Sequence, residues 1–148
     1  MRYLSLSVLI LGLSLAAAPV MASAPEAPKT PQSMSAKELS ERFGIELQGI
    51  RRVAGGYMLD MRYTVRDSTK AARLLGHDLI PQLIDERRNT HLITPAPPKI
   101  GPLRQTGASL RDGRTYFVFF ANPGKGVKAG DPVSVMLGDI QLEGLTIQ

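Results

Sequence analysis

Between Tyr57 and Asp67 the chain alternates with a period of two. Tyr57, Leu59, Met61, Tyr63 and Val65 share one parity, and Met58, Asp60, Arg62, Thr64 and Arg66 share the other. That period places successive side chains on opposite sides of an extended strand, one apolar and one wet. Burying a large apolar side chain is worth roughly 1.5–3 kcal/mol, so five in a row require a second layer over them. The stretch implies a sheet packed on another element, and it carries no chemistry of its own.

The first residues have the pattern of a removable leader. Arg2 gives a positive start, Leu4 to Ala18 form a largely apolar run, and Ala22-Ser23-Ala24 has the small-x-small form of a signal-peptidase site. Residues 1–24 are therefore read as a signal peptide cleaved after Ala24. The run is shorter than the ~20 apolar residues that a spanning helix needs, and no later run reaches that length. Residues 25–34, punctuated by Pro25, Pro28 and Pro31, read as a disordered linker. Residues 35–148 are then a single domain.

The chain has no cysteine. In an exported protein this excludes disulfides, thiol catalysis, cysteine metal sites and lipid attachment at a cysteine. Lys and Arg number 18 against 13 Asp and Glu, a balance of +5 that falls to +4 once Arg2 leaves with the leader. The basic residues are interleaved with acids, which describes a solvated surface more than a nucleic-acid or membrane interface.

Ser35 and Glu38 form a capping-box pair, Leu39 and Phe43 share a face, and Gly44 can stop the chain in the left-handed region. Together they predict a short helix from Ala36 to Phe43 that acts as a lid on the sheet. Ile45, Leu47 and Ile50 change parity across Gly49, which predicts a bulged strand. Ala54-Gly55-Gly56 then turns it into the alternating stretch as an antiparallel partner. Asp67-Ser68 caps a helical turn that ends at Gly76. Leu79 to Ile84 contains Pro81 and reads as an edge or irregular strand; Thr90 to Thr94 returns beside it after the polar loop Asp85 to Asn89. Pro95 to Pro102 reads as a stiff crossover. Tyr116 to Ala121 is apolar on both parities, which predicts a central strand covered on both sides. A glycine-rich turn, Asn122 to Asp131, leads into a strand at Val133, Val135 and Leu137. A last strand starts at Ile140, with its alternation broken at Gly144.

About seven strands with near-neighbour connections and no long helical crossover predict a mainly β fold. The expected form is an immunoglobulin-like antiparallel β-sandwich with a short N-terminal helix; a partly open β-barrel is the second choice. The segment Gly44 to Arg51, the run Gly55-Gly56-Tyr57-Met58-Leu59-Asp60-Met61-Arg62-Tyr63, and residues 97–106 and 116–124 resemble a family of small exported bacterial proteins of unknown function. The similarity spans nearly the whole domain and departs from the family pattern at Arg52, where an aliphatic residue is expected. It implies export and one β-rich domain, and no activity.

No convincing catalytic set emerges. The only histidines are His77 and His91, and no Gly-x-Ser-x-Gly elbow is present. Asp60 with Asp85 or Glu86 could pair carboxylates, but Asp60 shares a strand face with Arg62, and a surface ion pair explains it. Copper suits thioethers and imidazoles, yet Met58 and Met61 point to opposite sides. If a hairpin centres on Arg87-Arg88, His91 faces Ile84 and His77 lies on the order of 23 Å further along. Gly124-Lys125-Gly126 with Lys128 lacks the following helix that a phosphate-binding loop requires. The dense basic spots are Arg51, Arg52, Arg87 and Arg88, a candidate partner surface if their strands are neighbours. The sequence thus points to a periplasmic or secreted, non-enzymatic accessory or protein-binding module of the cell envelope. It would have no cofactor, and another envelope protein would be its partner. A periplasmic copper-binding protein and a small hydrolase with an unrecognised site are the alternatives.

Overall fold

The structure is a computed structural model describing residues 30–76, 79–105 and 110–148. The expected leader, the start of the expected linker and His77 lie outside the described residues. The described residues fold as eight strands in two sheets. The larger sheet runs in the order β1 (Gln32–Met34), β8 (Ile140–Thr146), β7 (Pro132–Leu137), β4 (Gln82–Asp85), β5 (Thr90–Ile93). The smaller runs β2 (Ile45–Val53), β3 (Met58–Val65), β6 (Thr115–Ala121). Two short helices, α1 (Ala36–Phe43) and α2 (Ser68–Ala71), accompany them among the described residues. Among the described residues, no helix is long and apolar enough to cross a membrane.

The alternating stretch becomes β3, the middle strand of the smaller sheet. Leu59, Met61, Tyr63 and Val65 are all buried, in one apolar cluster with Val118 and Phe120 of β6, Leu83 of β4, and Val133 and Val135 of β7. Tyr57 does not join them. It ends the Ala54–Gly56 turn ahead of the strand, is 57% exposed, and lies with the Lys125 ammonium 4.6 Å from its ring centre. Parity alone cannot say where a strand begins.

The pairing of β2 with β3 shifts register between Leu47 and Gly49, as the change of parity requires. Gly49 has φ 141°, and a Cβ there would come within 2.8 Å of Gln148 Nε2. The bulge therefore lets the Gln148 side chain approach β2. The Gln148 N–H donates to the Ile50 carbonyl at 2.8 Å, and Ile50 bridges Ile147 in parallel, so the end of β8 is laced to the edge of the smaller sheet. The expected break at Gly144 is also present: β7 and β8 slip register opposite Glu143 and Gly144.

α1 has the predicted capping box. The Ser35 N–H and hydroxyl both donate to Glu38 Oε2, at 2.8 and 2.7 Å, and the Glu38 N–H donates to Ser35 Oγ. These bonds hold the Glu38 carboxyl below its ordinary pKa. Leu39 is buried, and the helix touches β2, β8 and α2, closing one end of the sandwich as a lid. Gly44 ends the helix at φ 61°, and a Cβ there would collide with Asp67.

Four expectations need correction. The linker does not extend to residue 34, because Gln32–Met34 pair with β8 and Met34 is buried. One apolar anchor in a three-residue strand leaves no period to detect. That pairing is parallel, so the sandwich is not wholly antiparallel and has eight strands. Pro81 does not mark an edge: it precedes the first ladder residue, and β4 lies between β7 and β5. The Pro81 carbonyl accepts the Thr94 hydroxyl at 3.1 Å. Finally, β6 has a sheet over only one side. Tyr116, Val118 and Phe120 are buried in the core, while Phe117 and Phe119 lie half-buried on the opposite face.

Leu59→Ala should cost about 2–5 kcal/mol in urea unfolding, as deletion of a fully buried side chain does. Tyr57→Ala should cost under about 1 kcal/mol. Burial raises the Tyr63 phenol from its ordinary 10.0 to about 12, with the Arg104 charge opposing the shift. The folded state therefore favours the neutral phenol, whose contribution is complete below pH 10 and disappears as the pH rises through about 12. This residue's share of the loss should be about 2–3 kcal/mol. Tyr63→Phe should flatten that part of the alkaline stability profile.

Candidate functional site

The outer face of the smaller sheet is where polar and aromatic groups gather. Across the three strands Arg51 stands opposite Asp60 and Asp60 opposite Phe119; one step along, Gly49 stands opposite Arg62 and Arg62 opposite Phe117. The Phe117 and Phe119 rings tilt against each other with centroids 5.0 Å apart. Residues 103–105 run beside β6, since Phe119 N–H donates to the Leu103 carbonyl and Gln105 N–H to the Phe117 carbonyl. The proline segment thus carries the chain from β5 of one sheet to β6 of the other, as the expected crossover.

Asp60 is the centre of this face. Its side chain is only 2% exposed, and one oxygen, Oδ2, receives both Arg62 Nε at 2.9 Å and Arg51 Nη2 at 3.3 Å. Its other oxygen, Oδ1, has no hydrogen-bond partner among the described residues. The ion pair with Arg62 expected from the sequence is present, but the carboxylate is buried rather than wet. A carboxylate so placed is tolerated only because two guanidiniums neutralise it. Gln48, Gly49 and Gln148 join these three residues around a cleft of about 70 Å³.

The two arginine pairs do not fuse into one patch through adjacent strands. Arg51 and Arg52 belong to the smaller sheet, and Arg87 and Arg88 follow β4 of the larger. Both pairs do lie toward the same end: Arg52 N–H donates to the Gln148 carbonyl, Ile147 N–H donates to the Asp131 carbonyl, and Asp131 binds Arg87 Nη1 at 2.9 Å. Arg88 is held by Asp85 at 2.7 Å and by the Gly126 carbonyl at 2.8 Å. Arg51, Arg87 and Arg88 therefore each meet a buried carboxylate, whereas Arg52 is exposed with no side-chain partner among the described residues.

The Gly124 loop at this end is organised by its own chain. Asn122, 1% exposed, donates from Nδ2 to the Gly56 and Val127 carbonyls and accepts the Val127 N–H, each at 2.9–3.0 Å. The Lys128 N–H donates to Asp131 Oδ2. Two amides that a phosphate cradle would use are thus already bound, and β7 follows instead of a helix.

The remaining sequence candidates stay apart. Asp60 and Asp85 are in different sheets, and Asp85 braces its turn by accepting the Arg87 N–H and the Arg88 side chain. Met61 is buried in the core while Met58 faces outward, so the two cannot close on one ion. His91 pairs with Ile84 as expected, and its Nδ1 lies 3.2 Å from Gln82 Oε1. No group of three or more His, Cys, Asp or Glu among the described residues could hold a metal. The interior cavity between the sheets, lined by Met61, Tyr63 and Leu110 among others, measures about 20 Å³. That is room for one or two waters, far below the several hundred Å³ of a ligand pocket.

Sequence reasoning missed Phe117, Phe119 and Gln148. The signal for the phenylalanines was on the neighbouring strand: the polar parity of β3 lies on the side away from the apolar core, so a strand beside it turns its own alternate residues to that same side. No family model matches the chain, no curated protein does, and no solved structure does, so no enzyme family or enzyme homologue is found for it.

Arg62→Gln would leave the buried Asp60 with one guanidinium and should cost about 1–3 kcal/mol in urea unfolding. Arg52→Gln, which breaks no side-chain contact, should change stability by under about 0.5 kcal/mol.

Proposed function

We propose that this protein is an exported, non-enzymatic binding module of the cell envelope that meets a protein partner on the outer face of its smaller sheet. The observation that carries the reading is the pair of half-buried rings, Phe117 and Phe119, set one strand from the half-exposed Arg62 guanidinium and two strands from that of Arg51. Aromatic residues and arginine are the side chains that contribute most at protein interfaces. The leader-like start of the chain supports export, and the resemblance to small exported β-rich proteins agrees with it.

The topology is read as immunoglobulin-like. Taken in chain order, β2 to β8 fill the positions A, B, C, C′, E, F and G. The smaller sheet is then A-B-E and the larger G-F-C-C′, with β1 added beside G. Many cell-surface domains use such sandwiches as scaffolds for recognition, which supports a binding role by analogy of fold alone.

A photo-crosslinking residue in place of Phe117 should give a discrete protein adduct in intact cells, and the same residue in place of the exposed Ile93 should not. The protein recovered from those cells should begin at Pro25. Equal labelling from both positions, or none from Phe117, would count against the binding face. An intact N-terminus on a cytoplasmic protein would count against export.

A further inference from the structure

The outer face has an excess of positive charge that its own carboxylate does not absorb. Arg51 and Arg62 share Asp60 Oδ2, so the three groups sum to one positive charge beside the cleft. Each guanidinium has five N–H donors. Arg62 spends Nε on Asp60 and Arg51 spends Nη2, and neither has another acceptor among the described residues. Their side chains remain 47% and 53% exposed, while Asp60 beneath them is buried. Asp60 thus acts as a positioning residue: it fixes two forks without filling them. The cleft measures about 70 Å³, and Gln48 and Gln148 line it with further polar groups.

Spacing narrows the ligand. Neighbouring strands lie roughly 4.8 Å apart, so a cleft between β2 and β3 is about 7 Å from the rings on β6. In an extended peptide, side chains two residues apart point the same way and are separated by about 6.7 Å. We infer that this face binds an extended acidic segment of a partner protein, its carboxylate on Arg51 and Arg62 and the apolar side chain two residues away on Phe117 and Phe119. This rests on the reading of the face as a protein-binding surface and adds the chemistry of what it takes. Fork-shaped guanidiniums match a carboxylate bidentately, and the rings supply the apolar half of the contact.

The test is fluorescence anisotropy of the purified protein with labelled nonapeptides of glycine and serine carrying a central Glu-Thr-Phe. Replacing Glu by Gln in the peptide should weaken binding roughly tenfold, and replacing Phe by Ser should weaken it severalfold. Binding of the Glu peptide should fall as salt rises from about 50 to 500 mM, because an exposed charge contact is screened. The double variant Arg51→Gln, Arg62→Gln should lose the preference for Glu over Gln. The peptide changes are made against the unaltered protein, so the result does not depend on the variant folding. Equal binding of the Glu, Gln and Lys peptides, or none at about 1 mM, would overturn the acidic-segment inference. If Phe117 still crosslinked a partner in cells, the binding-face reading would survive that failure.

Discussion

Leu59, Met61, Tyr63 and Val65, pressed against the larger sheet, hold together a chain that has no disulfide to fall back on. Their strand is central to the smaller sheet and pairs with both β2 and β6. Its apolar side must be covered, and covering it requires the chain to cross from one sheet to the other. The crossings occur at the α1 lid, after α2, along the proline segment and through the Asn122 loop. Tyr63 and Tyr116, directly opposite in register, stack at 5.8 Å within this layer, and burial there is what raises the Tyr63 phenol.

A two-sheet core leaves its ends to be closed by polar groups, and this chain closes them differently. At the α1 end the closure is helical: Ser35 and Glu38 cap α1, Asp67 caps α2, and Asp112 accepts the Ser68 N–H at 2.7 Å. Donation from the Lys70 N–H is the main reason the Asp67 carboxyl is held below its ordinary pKa. At the other end buried polar side chains do the work. Asn122 ties the β2–β3 turn to the loop before β7, Asp85 braces the β4–β5 turn, and Asp131 joins that turn to the end of β8. Breaking any of these bonds would leave a buried polar atom without its partner, at a cost of about 1–3 kcal/mol.

What could be read from the residues follows from how far each signal reaches along the chain. Alternation over β3, the parity change at Gly49 and the capping box around Ser35 are local, and each appears in the structure where expected. β1 was hidden because its three residues pair with β8, more than one hundred positions away. From sequence, Phe117 and Phe119 read as core, because an apolar residue on a strand does not announce which side another sheet will cover. The arginine pairs were visible as basic spots, but the carboxylates that hold Arg51 and Arg87 come from another strand and another loop. Only Asp85 and Arg88, three residues apart, are close enough for that pairing to be local.

The supply of carboxylates then decides where the surplus charge resides. Arg87 has Asp131 and Arg88 has Asp85, one carboxylate for each guanidinium. Arg51 and Arg62 must share Asp60. The chain's overall positive balance therefore says little about its surface, because the basic turn after β4 is largely answered from within. On the open face of the smaller sheet one guanidinium charge is left without a carboxylate of its own. There the register of β3 with β6 sets it beside aromatic rings that no part of the larger sheet covers. Asp60 is buried beneath the two guanidiniums, while the side chains of Arg51 and Arg62 stay 53% and 47% exposed to solvent. That asymmetry, two forks on one carboxylate next to an apolar strip, separates this face from the rest of the sandwich.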